Sequence, residues 1–600
     1  MRFSLRFSRS YFPGFVFTLA LFPMLPAFAV ATTVVNPLCP DNTALFNPGG
    51  GEDIVLPSGF QVSVFTKGLN FPTGIAFLSH GNGKGFDVYV LESGHGLPSR
   101  CNDQSAWPAG EFAANNPFTP DILVFSQTGH LLHVLAKPTA DGGGLQPEGP
   151  AIDIAFEELR GEGGGEDEGG AAGGRLFASD SNQATHAHNG QNNSSRIVIV
   201  DPLTGRVTPF ITGLPTGDHP TEQLAFKAGW IYWSQGSTTN SGVVGRDNGG
   251  GQNQQDIPCQ DIVLSQNVFD SGGGVKTSGY SPFGVQRPGA TVKAFESASH
   301  QGVCDGAILR APLNVAHPED HIEPFSWGYR NGYAIRFAPL NHALLGAMLV
   351  GEDGADERGA RPSNHAPDSL QLARQNPDGT PDYHGWPDQY GFLPSSQAVF
   401  NPIGGPGDDL CVPDASNPPS MCTPASLALI EKEDVPIRDV LAFPPQPITS
   451  PLAIEAADSS FTGIEFVPDS FVAGPLRPGA ALYALEGDFG FSAANATSPA
   501  PEVGHEIKLI NFSAPGQPFA LKTMRFAHNT TFEQAFVDGL RGFNRPTNVR
   551  MGPDGCAWVV DYGAVRDFGQ SDPAAKYVGA NNGPLVQIPG TGVIWRICRK

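Results

Sequence analysis

The chain has 600 residues, and its 36 Lys and Arg stand against 59 Asp and Glu, for a formal net charge of −23 at pH 7. Such a surface repels phosphate backbones and carries no basic stripe, which argues against nucleic acid as a partner. The 74 Gly and 55 Pro are spread along the chain, so turns are many and long helices few.

Residues 1–29 read as a signal peptide. Arg2, Arg6 and Arg9 make a positive start, Phe15 to Leu25 an apolar stretch, and Ala27-Phe28-Ala29 a small-x-small cleavage site. The apolar stretch is short and broken by Pro23 and Pro26, whereas a spanning helix needs about 20 unbroken apolar residues. Export is expected, to the periplasm or outside the cell, with residues 30–54 as an N-terminal extension and 55–600 as the folded unit. No later stretch is apolar enough to span a membrane. Eight cysteines, Cys39, Cys101, Cys259, Cys304, Cys411, Cys422, Cys556 and Cys598, then predict disulfides between neighbours in sequence, among them Cys411–Cys422 and Cys556–Cys598.

One pattern recurs six times: an alternating apolar strand, a turn, and a second strand ending in a carboxylate or amide. The pairs are 72–77 with 87–92, 151–156 with 175–180, 220–226 with 230–235, 333–337 with 347–352, 462–466 with 481–486, and 546–551 with 557–561. Each reads as a hairpin of period-2 strands that cannot bury its apolar face alone, so the units must stack or close radially. The expected fold is all-β, a six-bladed β-propeller with long inserted loops at 161–174, 248–256 and 402–424. Gly592–Ile597 is a β-run at the very end, suited to pair with a strand from near the mature N-terminus. The terminal residues Glu92, Asp180, Gln235, Glu352, Glu486 and Asp561 serve either turn and blade packing or, as a ring of oxygens, a cation.

Three local clusters have chemical potential. Asp218-His219, just before the third repeat, pairs a possible general base with an orienting carboxylate, or is a turn Asp beside a structural His. Arg330-Asn331 leads into the fourth repeat, where a guanidinium polarises a carbonyl or forks between blades. The acidic, glycine-rich run 351–362 offers carbonyl and carboxylate oxygens suited to Ca²⁺, without EF-hand spacing. Thr185-His-Ala-His188 is a weaker metal candidate, with two histidines on one strand face.

In order along the chain, Asp218-His219, Ile231-Tyr232, Arg330-Asn331, Glu352–Asp356 and Gly385-Trp-Pro-Asp388 resemble the soluble glucose/sorbosone dehydrogenases that use pyrroloquinoline quinone (PQQ). Leu56–Phe60 and Arg545-Pro546 with Gly552–Gly555 resemble that family's first and last blades, so the likeness spans roughly residues 55–598. The resemblance implies His219 as the base that takes the substrate hydroxyl proton, Arg330 polarising the quinone carbonyl, and Asn331 holding the cofactor. It also implies backbone carbonyls at Gly354 and Ala355 for Ca²⁺, a sugar or polyol substrate, and an external electron acceptor. Gly332 and Ala355 stand where the family has prolines. No Arg or Lys follows the acidic segment 486–490 until Lys508 to neutralise the cofactor's carboxylates. A Ca²⁺-dependent lactonase-like hydrolase and a non-catalytic binding propeller are the alternative functions on the same fold.

Overall fold

A computed structural model describes residues 46–600, apart from several short stretches and the longer segments 95–118, 158–173, 183–192, 246–254, 296–302, 398–437, 488–502 and 568–584. The expected signal peptide, the Thr185–His188 pair, the acidic loop 161–173 and Cys39, Cys101, Cys411 and Cys422 lie outside the described residues.

The chain is all-β. Among the described residues, six sheets of at least four strands follow one another, each opening on one of the six recurring segments: β1 (Pro72–Ser79), β2 (Ala151–Phe156), β3 (Thr221–Lys227), β4 (Asn331–Phe337), β5 (Phe461–Phe466) and β6 (Pro546–Met551). Each pairs antiparallel with the second strand of its repeat, as in Pro72↔Glu92 and Pro546↔Asp561. The opening strands also touch one another in order, β1 with β2 through to β5 with β6, and β6 touches β1. They are buried on both faces, whereas outer strands such as Leu131–Leu135 turn most of their residues to solvent.

A register shift falls at the start of every opening strand, between Pro72/Gly74, Ala151/Ile154, Thr221/Leu224, Asn331/Ala334, Phe461/Gly463 and Pro546/Asn548. A bulge re-aims the side chains it carries, so the alternation that holds further along each strand fails here. The glycines of the two Thr-Gly-Ile segments have a steric cause. A Cβ on Gly74 would lie 2.9 Å from the Ile154 nitrogen, and one on Gly463 2.9 Å from the Asn548 Cα. Neighbouring opening strands therefore approach backbone to backbone.

Apolar side chains fill the spaces between successive sheets. Phe177, Ile197 and Ile211 of the second sheet meet Leu224, Ile231 and Trp233 of the third, and Leu482, Ile507 and Phe526 of the fifth meet Val549, Val559 and Trp595 of the sixth. Burying such residues contributes about 1.5–3 kcal/mol each, which is why no sheet stands alone.

The C-terminal strand Gly592–Arg599 pairs on one side with Ala557–Asp561 and on the other with Phe60–Leu69. The sixth sheet is thus completed by the N-terminal end of the folded chain, as its sequence suggested. Ile54–Val55 also pairs with Leu521–Asn529, and Phe46 is buried in the same core, so the fold reaches back ahead of residue 55.

Cys259–Cys304 and Cys556–Cys598 are disulfides between sequence neighbours. The second joins the turn before Ala557–Asp561 to the C-terminal strand and encloses 42 residues of separation. Replacing both Cys556 and Cys598 with Ala is expected to cost about 2–4 kcal/mol by releasing the unfolded chain, measurable as a lower urea midpoint with an intact native spectrum. An unchanged midpoint would show that strand pairing alone holds the C-terminus. Among the described residues, no helix is long and apolar enough to cross a membrane.

Candidate active site

The recurring terminal residues have a local task at five of six positions. Glu92 accepts the Asn70 N–H at 2.6 Å, Asp180 that of Gln146 at 2.9 Å, and Glu352 that of Arg330 at 3.1 Å. Asp561 accepts N–H bonds from Asn544 and Arg545, both at 2.8 Å, and the Gln235 amide oxygen accepts the Thr221 hydroxyl while its nitrogen donates to Pro215 O. They fasten the loop entering each opening strand to the strand beside it, which is the packing role, not a ring of free oxygens around an ion. Glu486 instead faces Arg545.

Those fastened loops carry the chemistry. Asp218 and His219 are set by backbone bonds from their N–H groups to Thr238 O (3.0 Å) and Ser237 O (3.1 Å), and Ser237 N–H in turn donates to Arg330 O at 2.9 Å. The loop before β3 is thereby tied to the loop before β4. His219 Nδ1 lies 3.4 Å from Asp218 Oδ2, and Arg330 Nη2 lies 3.5 Å from the same oxygen. His219 and Arg330, more than 110 positions apart in the chain, thus meet at the carboxylate of Asp218. His219 is one-fifth exposed, while Arg330 is only 4% exposed at its side chain.

Arg330 is held on several sides. Its Nη2 donates to Asp356 at 2.6 Å and its Nη1 to the Gly354 carbonyl, also at 2.6 Å. Asp356 is fixed by a reciprocal pair with Asn240: its N–H donates to Asn240 Oδ1 at 2.9 Å, and the Asn240 amide donates to Asp356 O at 2.8 Å. Behind Arg330, Glu352 also accepts from Ser369 Oγ and Gln371 Nε2, and Gln371 Oε1 reaches His384 Nδ1 at 3.2 Å. His384 is fully buried and stacked on Tyr329.

The Gly385-Trp-Pro-Asp388 element supports this loop from outside. Trp386 Nε1 donates to Asn240 O at 3.3 Å, while Asp388 accepts from Arg361 at 2.5 Å and from the Val440 and Leu441 N–H groups. Arg361 also donates to Ser241 O and Pro387 O. The end of the segment expected as a surface loop at 248–256 is in fact inside: Asp256 is 1% exposed and anchors Thr239 through both oxygens, because the Thr238–Asn240 turn needs acceptors where no strand supplies them.

Asn331 Nδ2 donates to Asp353 Oδ2 at 3.0 Å, across the register pair Asn331↔Asp353. Glu222, carried by the β3 bulge, lies against Asn331 and is 1% exposed. Burial, opposed by nearby Arg330, pushes its carboxyl well above the usual range, and burial with repulsion from Asp368 and Glu222 does the same for Asp353. Sequence reading did not single out Glu222 or Asn240, and took Arg545 only as part of a last-blade motif. The strand that carries Glu222 opens on three polar residues, Thr221, Glu222 and Gln223, so its sequence does not set Glu222 apart.

Calcium at Gly354 does not fit this arrangement. The carbonyl that would face the ion already accepts the Arg330 guanidinium, and like charges a few ångströms apart repel strongly when buried. The Ala355 N–H is bonded to Tyr390 Oη at 2.6 Å. Among the described residues, no three His, Cys, Asp or Glu side chains are grouped to hold a metal. One cation does reach the fifth repeat, from outside the stretch that follows Glu486. Arg545, from the loop before β6, donates to Gly487 O at 2.8 Å and so reaches the acidic end of the fifth repeat.

Burial raises several of these acids, with Glu352 pushed up to about 8 and Glu486 to about 7. In the unfolded chain both return to about 4. The folded protein therefore holds more protons between about pH 4 and pH 8, and its stability falls as pH rises through that window. Urea midpoints at pH 5 are expected to exceed those at pH 8, with a shallower slope in Glu352→Gln. Midpoints that rise from pH 5 to pH 8 would contradict these burial effects.

No known family profile and no curated protein matches the chain. Solved structures do match. A PQQ domain of pyranose dehydrogenase from Coprinopsis cinerea is 12% identical over 91% of this chain and 97% of its own, with a TM-score of 0.46. A Trichoderma reesei protein of Carbohydrate-Active Enzymes Family AA12, in its calcium structure, is 14% identical over 92% and 98%, with a TM-score of 0.47. A putative glucose dehydrogenase from Thermus thermophilus is 14% identical over 90% and 100%, with a TM-score of 0.40. These are the kinds of enzyme that the sequence motifs resemble. At such identities and TM-scores the similarity carries no functional argument, and the reading below stands on this chain's own residues.

Proposed function

We propose that the six sheets are the blades of a closed β-propeller, exported after loss of residues 1–29, that oxidises a hydroxyl of a sugar or polyol. PQQ would be the electron acceptor within the protein, re-oxidised by an external acceptor. The observation that carries this reading is the meeting of His219, Asp218 and Arg330, from loops far apart in sequence, at the start of β3 and β4.

The donor set suits the redox end of such a cofactor. Arg330 and Asn331 together offer a fixed positive charge and an amide, and Arg545 adds a second cation for a carboxylate. The cofactor, when bound, supplies the two-electron chemistry that no side chain here can supply. The chain's own residues manage the proton and the position. His219 accepts the proton of the substrate hydroxyl, and Asp218 orients the imidazole and offsets the charge it gains. Asp356 and the Gly354 carbonyl hold the guanidinium plane still, so that little reorganisation accompanies the change in charge. Asn240 fixes Asp356 and thereby acts through Arg330. The Ca²⁺ implied for Gly354 and Ala355 takes no part in these steps.

Calorimetric titration of the purified mature protein with PQQ tests the reading. Saturable binding that Arg330→Lys weakens supports it, because lysine keeps the charge but loses the planar fork. Absence of binding at high micromolar PQQ would rule the cofactor out.

A further inference from the structure

We propose that Asp305 is a positioning residue for His219, holding the base in place through Thr238. This role rests on the reading of His219 as the base, given above. Asp305 stands at the corner that opens Ala307–Pro312, the third strand of the third sheet, and is 3% exposed. Its Oδ2 accepts both donors of Thr238, the N–H at 3.0 Å and the hydroxyl, and its Oδ1 accepts the Ile257 N–H at 2.9 Å. Thr238 O and Ser237 O in turn accept the Asp218 and His219 N–H groups at 3.0 and 3.1 Å. The turn has no room to shift by itself. A Cβ on Gly217 would lie 2.1 Å from Thr238 Cα, and one on Gly236 2.2 Å from His219 Cβ. These backbones touch, so a displaced Thr238 displaces His219.

Asp305 is anchored in its turn. Its N–H donates to Ile257 O at 3.2 Å, and the Cys259–Cys304 disulfide joins the two segments. Beside it, Gly306 O accepts the Gly328 and Tyr329 N–H groups at 2.9 and 3.0 Å, so the same corner also holds the loop that leads to Arg330. Asp256 reinforces the turn by holding Thr239 through both oxygens. Two acids close together in the interior destabilise a fold. Burial pushes Asp305 up to about 7, and burial with repulsion from Asp305 pushes Asp256 well above its usual range. Packing alone would favour apolar residues here. Three donors converging on Asp305, however, need a group whose two oxygens both accept. An amide offers only one oxygen and would aim an N–H at one set of donors.

Two measurements test this, and the first needs no quinone. In protein labelled with ¹³Cε1-histidine, the His219 resonance, assigned by its loss in His219→Ala, is titrated with pH. Thr238→Val removes the hydroxyl bond to Asp305 and changes no charge. The loosened imidazole should draw away from Asp218, whose carboxylate favours the imidazolium, so its midpoint should fall. Thr238→Ser should restore it. In the quinone-loaded protein, Asp305→Asn should lower kcat about tenfold or more with KM little changed, the mark of a displaced reacting group. The same change should cost nothing further in His219→Ala, because Asp305 acts through His219. Asp261→Asn, which breaks an exposed pair with Lys293, should match the wild type in both measurements. A midpoint unmoved by Thr238→Val, or an equal loss of kcat from Asp305→Asn with and without His219, overturns the proposal. Should the protein not bind PQQ, the dehydrogenase reading falls by itself, and the midpoint still decides whether Asp305 sets His219.

Discussion

Arg330→Ala is expected to be the most damaging single substitution at the site, for stability and for cofactor binding together. The guanidinium is almost wholly buried and balances Asp356 at 2.6 Å and Asp218 at 3.5 Å while satisfying the Gly354 carbonyl. Removing one partner of a buried pair costs about 3–5 kcal/mol, because the remaining charge is left uncompensated. Denaturant unfolding reads the loss directly. The double variant Arg330→Leu with Asp356→Leu should cost clearly less than the two single changes added together, since it removes both charges. Strict additivity would mean that Arg330 and Asp356 are neighbours without being coupled. On the same reasoning, PQQ titrated against Arg330→Ala should bind weakly or not at all.

The second large effect falls on rate and leaves stability nearly unchanged. His219→Ala in the quinone-loaded protein should lower kcat by about 10²–10⁴ with KM changed little, the usual loss when a positioned general base is removed. His219 is partly exposed and its neighbours are set by backbone bonds, so the fold should tolerate the change. Added imidazole should restore part of the rate. A variant with wild-type kcat would move the base elsewhere, and one that loses only KM would make His219 a substrate contact.

How far these residues could be read from sequence depends on which interactions are local. The six strand pairs were legible because alternation of apolar residues and the ends at Glu92, Asp180, Gln235, Glu352, Glu486 and Asp561 are local signals. The third and fourth strands of the first five sheets were not. In the third sheet, Trp230–Gln235 and its next neighbour, Ala307–Pro312, are separated by about seventy residues, and the fourth sheet ends on the two-residue strand Ala453–Ile454. The pairing of the C-terminal run with Phe60–Leu69 was anticipated only in kind.

The site divides in the same way. Asp218, His219, Arg330 and Asn331 stood out by residue type and order, and the structure brings them together. The role of the Gly354 carbonyl did not follow, because it depends on where Arg330 extends its fork. Glu222 was invisible because the bulge that re-aims it is a property of strand pairing, not of the β3 sequence. Arg545 was read as part of a last-blade motif and not as a cation for the fifth repeat, since a cation was sought after Glu486 in the chain, whereas it arrives from the next repeat. The acids at the strand ends turned out to fasten loops because backbone N–H groups in those loops lack a ladder partner.

The central claim is that His219 takes the proton of a substrate hydroxyl beside a quinone held by Arg330. Anaerobic mixing of the PQQ-loaded protein with a panel of aldoses and polyols tests it most directly, with the quinone absorbance followed in a single turnover. The account predicts rapid bleaching by at least one member of the panel in the wild type, and bleaching slowed by about 10² or more in His219→Ala. No bleaching by any member, or equal rates in the two proteins, would contradict it.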